Sequence, residues 1–107
     1  MSLYELRSYT LYVGKLAEAV THYQTLAWPA LQNGGYDKKL IGYFTSDVGM
    51  LNSIVHLWKF DDDADRRDHW GRLFQDDDFM AFAAEFRPLV RTQENQLLNE
   101  APWGPHP

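Results

Sequence analysis

The sequence predicts an α+β domain with a four-stranded antiparallel sheet and helices on one face of that sheet. Three observations predict it. In some segments the residue type alternates with a period of two, which predicts strands. In others apolar residues recur at helical spacing, which predicts helices. The two types follow one another along the chain in the order β-α-β-β-α-β. A chain of 107 residues has the usual size of one domain, so we interpret residues 1–107 as a single domain.

The first half of the chain reads as strand, helix and strand. Leu3–Leu11 alternates with a period of two residues and contains two tyrosines, which is typical of a strand. Apolar residues then recur at helical spacing from Leu16 to Leu31. Pro29 lies inside this pattern and predicts a kink or interruption, and Asn33–Gly35 ends the helix. Leu40–Ser46 is predicted as the second strand.

A third strand, Asn52–Phe60, follows the second after residues 47–51, so the two are expected to form an antiparallel hairpin. Runs of aspartate then precede two helical patterns. We interpret them as helix caps, with Asp62 or Asp63 at the start of the first helix, because carboxylates accept hydrogen bonds from the free N–H groups there. The second pattern, from Phe79 to Phe86, ends before a proline.

Leu89–Asn99 is mostly polar and fits a final strand at a sheet edge. Residues 101–107, rich in proline and glycine, are expected to form an extended arm. The resulting order is that of the ferredoxin-like fold. Since nothing in the chain covers the second face of the sheet, we expect a homodimer built through these bare faces, with two sheets packed face to face.

The composition excludes several classes of function. The net charge is −5 and the basic residues are scattered, so we expect no nucleic-acid binding. The absence of cysteine excludes a disulfide framework, a thiolate nucleophile and a cysteine-ligated zinc. The apolar stretches are too short to span a bilayer, and no leader pattern precedes the first strand. We therefore expect no membrane span and a cytoplasmic location.

Several segments resemble the NIPSNAP family. They are Tyr4–Thr10 with Gly14–Leu16, the run Gly42–Trp58 with its Gly49-x-Leu51-Asn52 and His56-Leu57-Trp58 motifs, Arg66 or Arg67, and Gln93–Asn95. The resemblance covers nearly the whole chain. It implies a dimeric α/β barrel, an architecture shared with small cofactor-free monooxygenases, isomerase-like enzymes and some haem proteins. It supplies no settled reaction for single-domain members, so function has to be argued from the site.

The candidate site lies on the first and third strands. On the third strand Asn52, Ile54, His56 and Trp58 share one face, whereas Val55 and Leu57 lie on the other, which we expect to be covered by helices. His56 would then lie on the bare face inside the barrel. The predicted catalytic residues are His56, Arg7 and Tyr9, and the predicted ligand-binding residues are Glu5, Asn52 and Trp58. Imidazole can act as a general base, guanidinium can hold a carboxylate or enolate, and indole can wall an apolar ligand.

Each of these residues also has a structural explanation. Glu5 and Arg7 could pair with each other, and His56 could be a hydrogen-bonded core histidine. Trp58 fits a core or an interface, and Asn52 fits a turn. For Glu5 and Arg7 the two explanations differ in whether Arg7 is left free to bind an anionic ligand.

The remaining histidines, His22, His69 and His106, are predicted on helix surfaces and in the tail, where His69 could pair with Asp65. No His-x-His or His-Glu-x-x-His spacing is present, so we expect no metal and no cofactor.

Three hypotheses about function follow. The first is a small-molecule-binding barrel that acts as a cofactor-free oxygenase or isomerase on a small organic substrate. The second is a non-catalytic binding or interaction module with a packed interior. The third is a haem binder with His56 as the axial ligand. A cavity large enough for a ligand would favour the first hypothesis over the second.

Overall fold

A computed structural model describes residues 2–107, and its four strands form one antiparallel sheet in the order β2-β3-β1-β4. The strands are β1 (Leu3–Leu11), β2 (Leu40–Thr45), β3 (Ser53–Phe60) and β4 (Val90–Asn99). Each predicted strand is confirmed to within one residue at either end. The β2–β3 hairpin is confirmed as well, with Tyr43 paired to His56. Because the helices all lie on one side of this sheet, the ferredoxin-like α+β fold is confirmed.

The first helical region changes its hydrogen-bond register where the proline was expected to disturb it. Helix α1 (Leu16–His22) passes into a π-helical turn (Tyr23–Ala27), which is followed by α2 (Trp28–Gly34). Pro29 lacks an N–H group, and its ring would clash with the carbonyl four residues earlier in a regular helix. The wider π turn just before it relieves that clash. The region ends at Gly35, which adopts φ 73°.

Two further helices, α3 (Asp63–Leu73) and α4 (Asp77–Phe86), follow β3. Their caps are aspartates, as predicted. The Asp62 carboxylate accepts a hydrogen bond from the Asp65 N–H at 2.8 Å, and the Asp76 carboxylate accepts one from the Phe79 N–H at 2.9 Å. Among residues 2–107, no helix has the length and apolar character needed to cross a membrane.

The helices cover the face of the sheet that was predicted to be bare. Glu5 is 0% exposed, His56 4% and Trp58 1%, because all three point toward α3 and α4 and not away from them. The predicted orientation is therefore wrong, and Val55 and Leu57 lie on the uncovered face instead. Alternation sorts residues into two sets but does not say which set the helices cover. The bulk of Trp58, buried here with the other large aromatic side chains, outweighs the two smaller aliphatic residues.

The position of His69 also differs from the prediction. It was expected on a helix surface, yet its ring is 2% exposed and lies 5.2 Å from the Phe60 ring and 4.9 Å from the Trp58 ring. Its expected partner Asp65 accepts instead from Lys39, at 2.9 Å. His69 is therefore part of the aromatic core between α3 and the sheet.

The C-terminal segment folds back over the uncovered face. The Tyr4 hydroxyl lies 2.9 Å from Glu100 Oε2 and 3.1 Å from the carbonyl oxygen of Pro107. Lys59 Nζ donates to that same carbonyl at 2.9 Å. The irregular arm 101–107 therefore rests against one end of β1 and β3, whereas Trp103 on the arm stays exposed.

Candidate functional site

Strand register brings three of the predicted site residues together. On the helix-covered face Arg7 is directly opposite His56, and His56 is opposite Tyr43 on its other side. Tyr9 lies two residues beyond Arg7 on the same strand, and its ring is parallel to the His56 ring with centroids 5.3 Å apart. Arg7, Tyr9 and His56 therefore form one cluster on adjacent strands, located between the sheet and the helices.

A cavity of about 420 Å³ lies over this cluster. Its polar lining comes from the sheet, the π turn and the segment between α4 and β4: Arg7, Tyr9, Tyr23, Tyr43, His56, Arg87 and Gln93. Its apolar lining comes mainly from the aromatic side chains of α3 and α4. This volume is within the range of small-molecule sites, and its mixture of aromatic walls and few polar groups is typical of them.

The buried carboxylate of Glu5 holds the cluster in place through hydrogen bonds. One carboxylate oxygen accepts from Arg7 Nη1 at 2.9 Å, and the other accepts from Arg66 Nε at 2.7 Å and from Trp70 Nε1 at 2.8 Å. Glu5 does not line the cavity and lies behind Arg7. Of the two candidate arginines on α3, Arg66 makes this contact, whereas Arg67 is exposed and pairs with Asp63.

Arg7 in turn controls the Tyr9 hydroxyl. Its Nε and Nη2 atoms both donate to the Tyr9 oxygen, at 3.1 and 3.0 Å. The guanidinium also lies over the Trp70 ring, 4.3 Å from the centroid. Because both bonds use the lone pairs of the hydroxyl oxygen, the hydroxyl proton is left to be donated to a ligand.

His56 is a neutral hydrogen-bond donor in this site. Its Nδ1 accepts the Trp58 indole N–H, so the ring hydrogen is on Nε2. Nε2 is buried and has no hydrogen-bond partner among the described residues. Burial, and secondly the nearby positive charge of Arg7, lower the pKa of His56 to about 3. An imidazole with so low a pKa is a poor general base near neutral pH but a good N–H donor.

Tyr23 and Tyr43 belong to the site but were not predicted. Their rings are 5.3 Å apart, and burial raises the pKa of both hydroxyls, so both stay protonated. Tyr43 could have been found from the hairpin register, which pairs it with His56. Tyr23 depends on the π turn, which the sequence pattern alone does not reveal.

Of the other two residues predicted to contact a ligand, Trp58 lines the cavity and Asn52 does not. Trp58 lines the cavity and orients His56. Asn52 does not line it, because it precedes β3 in a left-handed conformation with φ 56° and its carbonyl accepts from the Leu11 N–H. Asn52 serves the turn, and its role as a ligand-binding residue stays a prediction. Among residues 2–107, no cluster of three or more histidine or carboxylate side chains could hold a metal ion.

Known proteins resemble this chain in both sequence and structure. It is 28% identical over 102 residues to protein NipSnap homolog 3A of Homo sapiens; the match covers 94% of this chain but spans only 40% of that protein. A crystal structure of a NIPSNAP family protein from Agrobacterium tumefaciens superposes with a TM-score of 0.90 at 27% identity, covering 98% of each chain.

A more distant likeness shows the fold alone. The crystal structure of a putative antibiotic biosynthesis monooxygenase from Caulobacter crescentus has a TM-score of 0.68 at 17% identity, covering 94% of this chain and 90% of that one. The sequence model of the NIPSNAP family matches residues 4–105. The chain therefore belongs to the NIPSNAP family.

Proposed function

We propose that the cavity binds a small planar organic molecule through one of its oxygen atoms and stabilises the anionic form of that oxygen. The observation that carries this proposal is the presence of two unpartnered donors in one cavity. The Nε2–H of His56 has no acceptor among residues 2–107, and the Tyr9 proton is free because Arg7 occupies the hydroxyl oxygen. Donors without acceptors favour an enolate, a phenolate or a carboxylate.

The electrostatics of the cluster support the same class of ligand. Glu5 carries one negative charge and contacts two guanidinium groups, those of Arg7 and Arg66. Arg66 is also paired with Asp63, but the two charged residues that line the cavity itself, Arg7 and Arg87, are both basic, and such charges act strongly in surroundings of low polarity. The aromatic walls suit the planar carbon skeleton of a conjugated enol or phenol.

An enolate held in this way can react further without a cofactor. Reprotonation on a different carbon makes the protein an isomerase. Attack of that carbon on O₂, with one oxygen atom retained as a carbonyl and the other released as water, makes it a cofactor-free oxygenase. Because burial lowers the pKa of His56 to about 3, His56 is not the base that removes the proton of the ligand near neutral pH, and we expect activity to follow the ionisation of the ligand.

The test uses 4-nitrophenol, whose yellow colour reports the phenolate. We expect saturable binding, with the pKa of bound nitrophenol lowered by about one unit or more relative to the free molecule. Tyr9→Phe and His56→Phe remove one donor each and are expected to reduce that shift. Tyr12→Phe, a surface tyrosine outside the cavity, is the matched control and should leave it unchanged. Absence of saturable binding would favour the non-catalytic module.

We also propose that the protein is a homodimer through its uncovered sheet face. Ile54 and Trp58 were expected in that interface, but both are buried beneath the helices. The uncovered face instead carries Leu57 with two further apolar neighbours, Leu6 and Val55, around the middle of the sheet. An apolar patch of this kind is usually covered by a partner, and a stable interface buries about 1,200 Å² or more in total. The cytoplasmic location also stays a prediction.

Leu57→Asp tests the dimer. The charge would have to be buried at the centre of the interface, so we expect the mass in solution, measured by light scattering after gel filtration, to fall from two chains to one. Val48→Asp, in the exposed loop between β2 and β3, is the matched control and should stay dimeric. A wild-type protein with the mass of one chain at micromolar concentration would refute the dimer.

A further inference from the structure

A second space adjoins the cavity and shares part of its wall. This outer groove, of about 350 Å³, runs between the first helical region and strand β2. Its remaining lining is mostly apolar: Val20, Trp28, Phe44 and Ile54, with Gln24 and Thr45. Tyr23 and Tyr43 line both the cavity and the outer groove, so the two spaces are separated only by a pair of phenol rings.

This dividing wall is held by aromatic packing and not by hydrogen bonds: the Tyr23 ring packs on Phe82 and Phe86, and the Tyr43 ring packs on His56. The Tyr23 and Tyr43 rings touch each other, yet no hydrogen bond joins either hydroxyl to another described residue. Tyr23 begins the π turn, a helical irregularity that often occurs at functional sites. A rotation of either side chain would therefore join the two spaces without breaking a hydrogen bond of the protein.

The two spaces differ in chemistry. The inner cavity holds the free donors on Tyr9 and His56, whereas the outer groove is walled by aliphatic and aromatic side chains and opens to solvent beside Trp28 and Phe44. A ligand that filled both would place an oxygen-bearing head inside and an apolar chain outside. Binding of such a chain is favourable, because it removes the exposed apolar side chains of the groove from water.

We propose that the outer groove holds the apolar tail of the ligand whose oxygen binds in the cavity, so that the substrate class is a phenol or enol carrying a flexible hydrocarbon chain. This inference rests on the proposed function, because it requires the head to bind near Tyr9 and His56. The wall of Tyr23 and Tyr43 that the two spaces share favours a tail of the same molecule over a separate protein partner.

A series of alkyl 4-hydroxybenzoates, from methyl to heptyl, tests the tail. Each added methylene that enters the groove is expected to lower Kd by about three- to fourfold until the groove is full. Val20→Trp and Thr45→Trp each place a bulky ring in the groove from opposite sides. Both are expected to abolish this dependence on chain length while leaving 4-nitrophenol binding unchanged. Glu18→Trp, on an exposed position of the same helix, is the matched control and should keep the wild-type dependence.

The possible negative results distinguish an error in the tail site from an error in the proposed function. If 4-nitrophenol binds but Kd does not change with chain length, the head site stands and the tail site is refuted. The same conclusion follows if both tryptophan variants keep the wild-type dependence on chain length. If neither nitrophenol nor any ester binds, the proposed function itself is refuted, and the tail site with it.

Discussion

Glu5→Gln is expected to lower the free energy of unfolding by roughly 3–5 kcal/mol. The Glu5 carboxylate is fully buried and forms ion pairs with two guanidinium groups, those of Arg7 and Arg66, while also accepting the Trp70 indole N–H. The amide keeps the shape of the side chain but removes its charge and turns an N–H₂ group toward a positively charged donor. The buried guanidinium of Arg7 is then left without a counter-charge, whereas Arg66 keeps Asp63.

Chemical denaturation of the wild type and the variant measures this loss. Glu85→Gln is the matched control, since Glu85 is exposed on α4 and away from the uncovered sheet face, and its free energy of unfolding should change by less than about 0.5 kcal/mol. A loss below about 1 kcal/mol in Glu5→Gln would mean that the two arginines are solvated in solution. Arg7→Ala should cost less than Glu5→Gln, because Arg66 and Trp70 still bind the carboxylate.

Acidification from about pH 7 to about pH 4.5 is expected to lower the free energy of unfolding by roughly 3–5 kcal/mol. Burial lowers the pKa of His56 to about 3 and that of His69 to about 4, from 6.5 in an unfolded chain. Below pH 6.5 the unfolded state therefore binds more protons than the folded state. The stability contributed by the neutral imidazoles is complete above pH 6.5 and is lost as the pH falls toward 4.

Variants assign this loss to its sources. His69→Leu and His56→Leu should each remove about half of the pH dependence, whatever their effect on stability at neutral pH. His22→Leu, on the surface of α1, is the matched control and should keep the wild-type slope. Denaturation midpoints at several pH values measure it. A free energy of unfolding that stays constant between pH 7 and pH 5 would contradict the buried, neutral state of both rings.

Local patterns in the sequence were enough to predict the elements of this fold. The alternation in Leu3–Leu11, the aspartate caps Asp62 and Asp76, and the short link between β2 and β3 each depend on neighbouring residues only. They are therefore readable without knowledge of the tertiary structure. The choice of covered face is different, because it depends on the packing of α3 and α4 against Trp58 and its neighbours.

The candidate site, like the fold, was predicted only in part from the sequence. Arg7, Tyr9 and His56 were grouped correctly, since alternation and strand pairing together place them side by side. Arg66 completes the site from α3, far along the chain, and the family pattern could not decide between it and its neighbour. The depressed pKa of His56 could not be foreseen either, since it arises from burial under helices that were expected on the opposite side.

The π turn at Tyr23–Ala27 gives this chain a simple way to alter its cavity. A π turn contains one residue more than a regular helical turn, so deleting one residue there would return the region to α-helical register, with a kink at Pro29. The flanking segments α1 and α2 would keep their contacts with the sheet, because each already has α-helical geometry. The wall formed by Tyr23 would be rebuilt or lost. A single insertion or deletion could therefore change the shape of the cavity, and with it the ligand preference, during evolution, while the packing of the core stays the same.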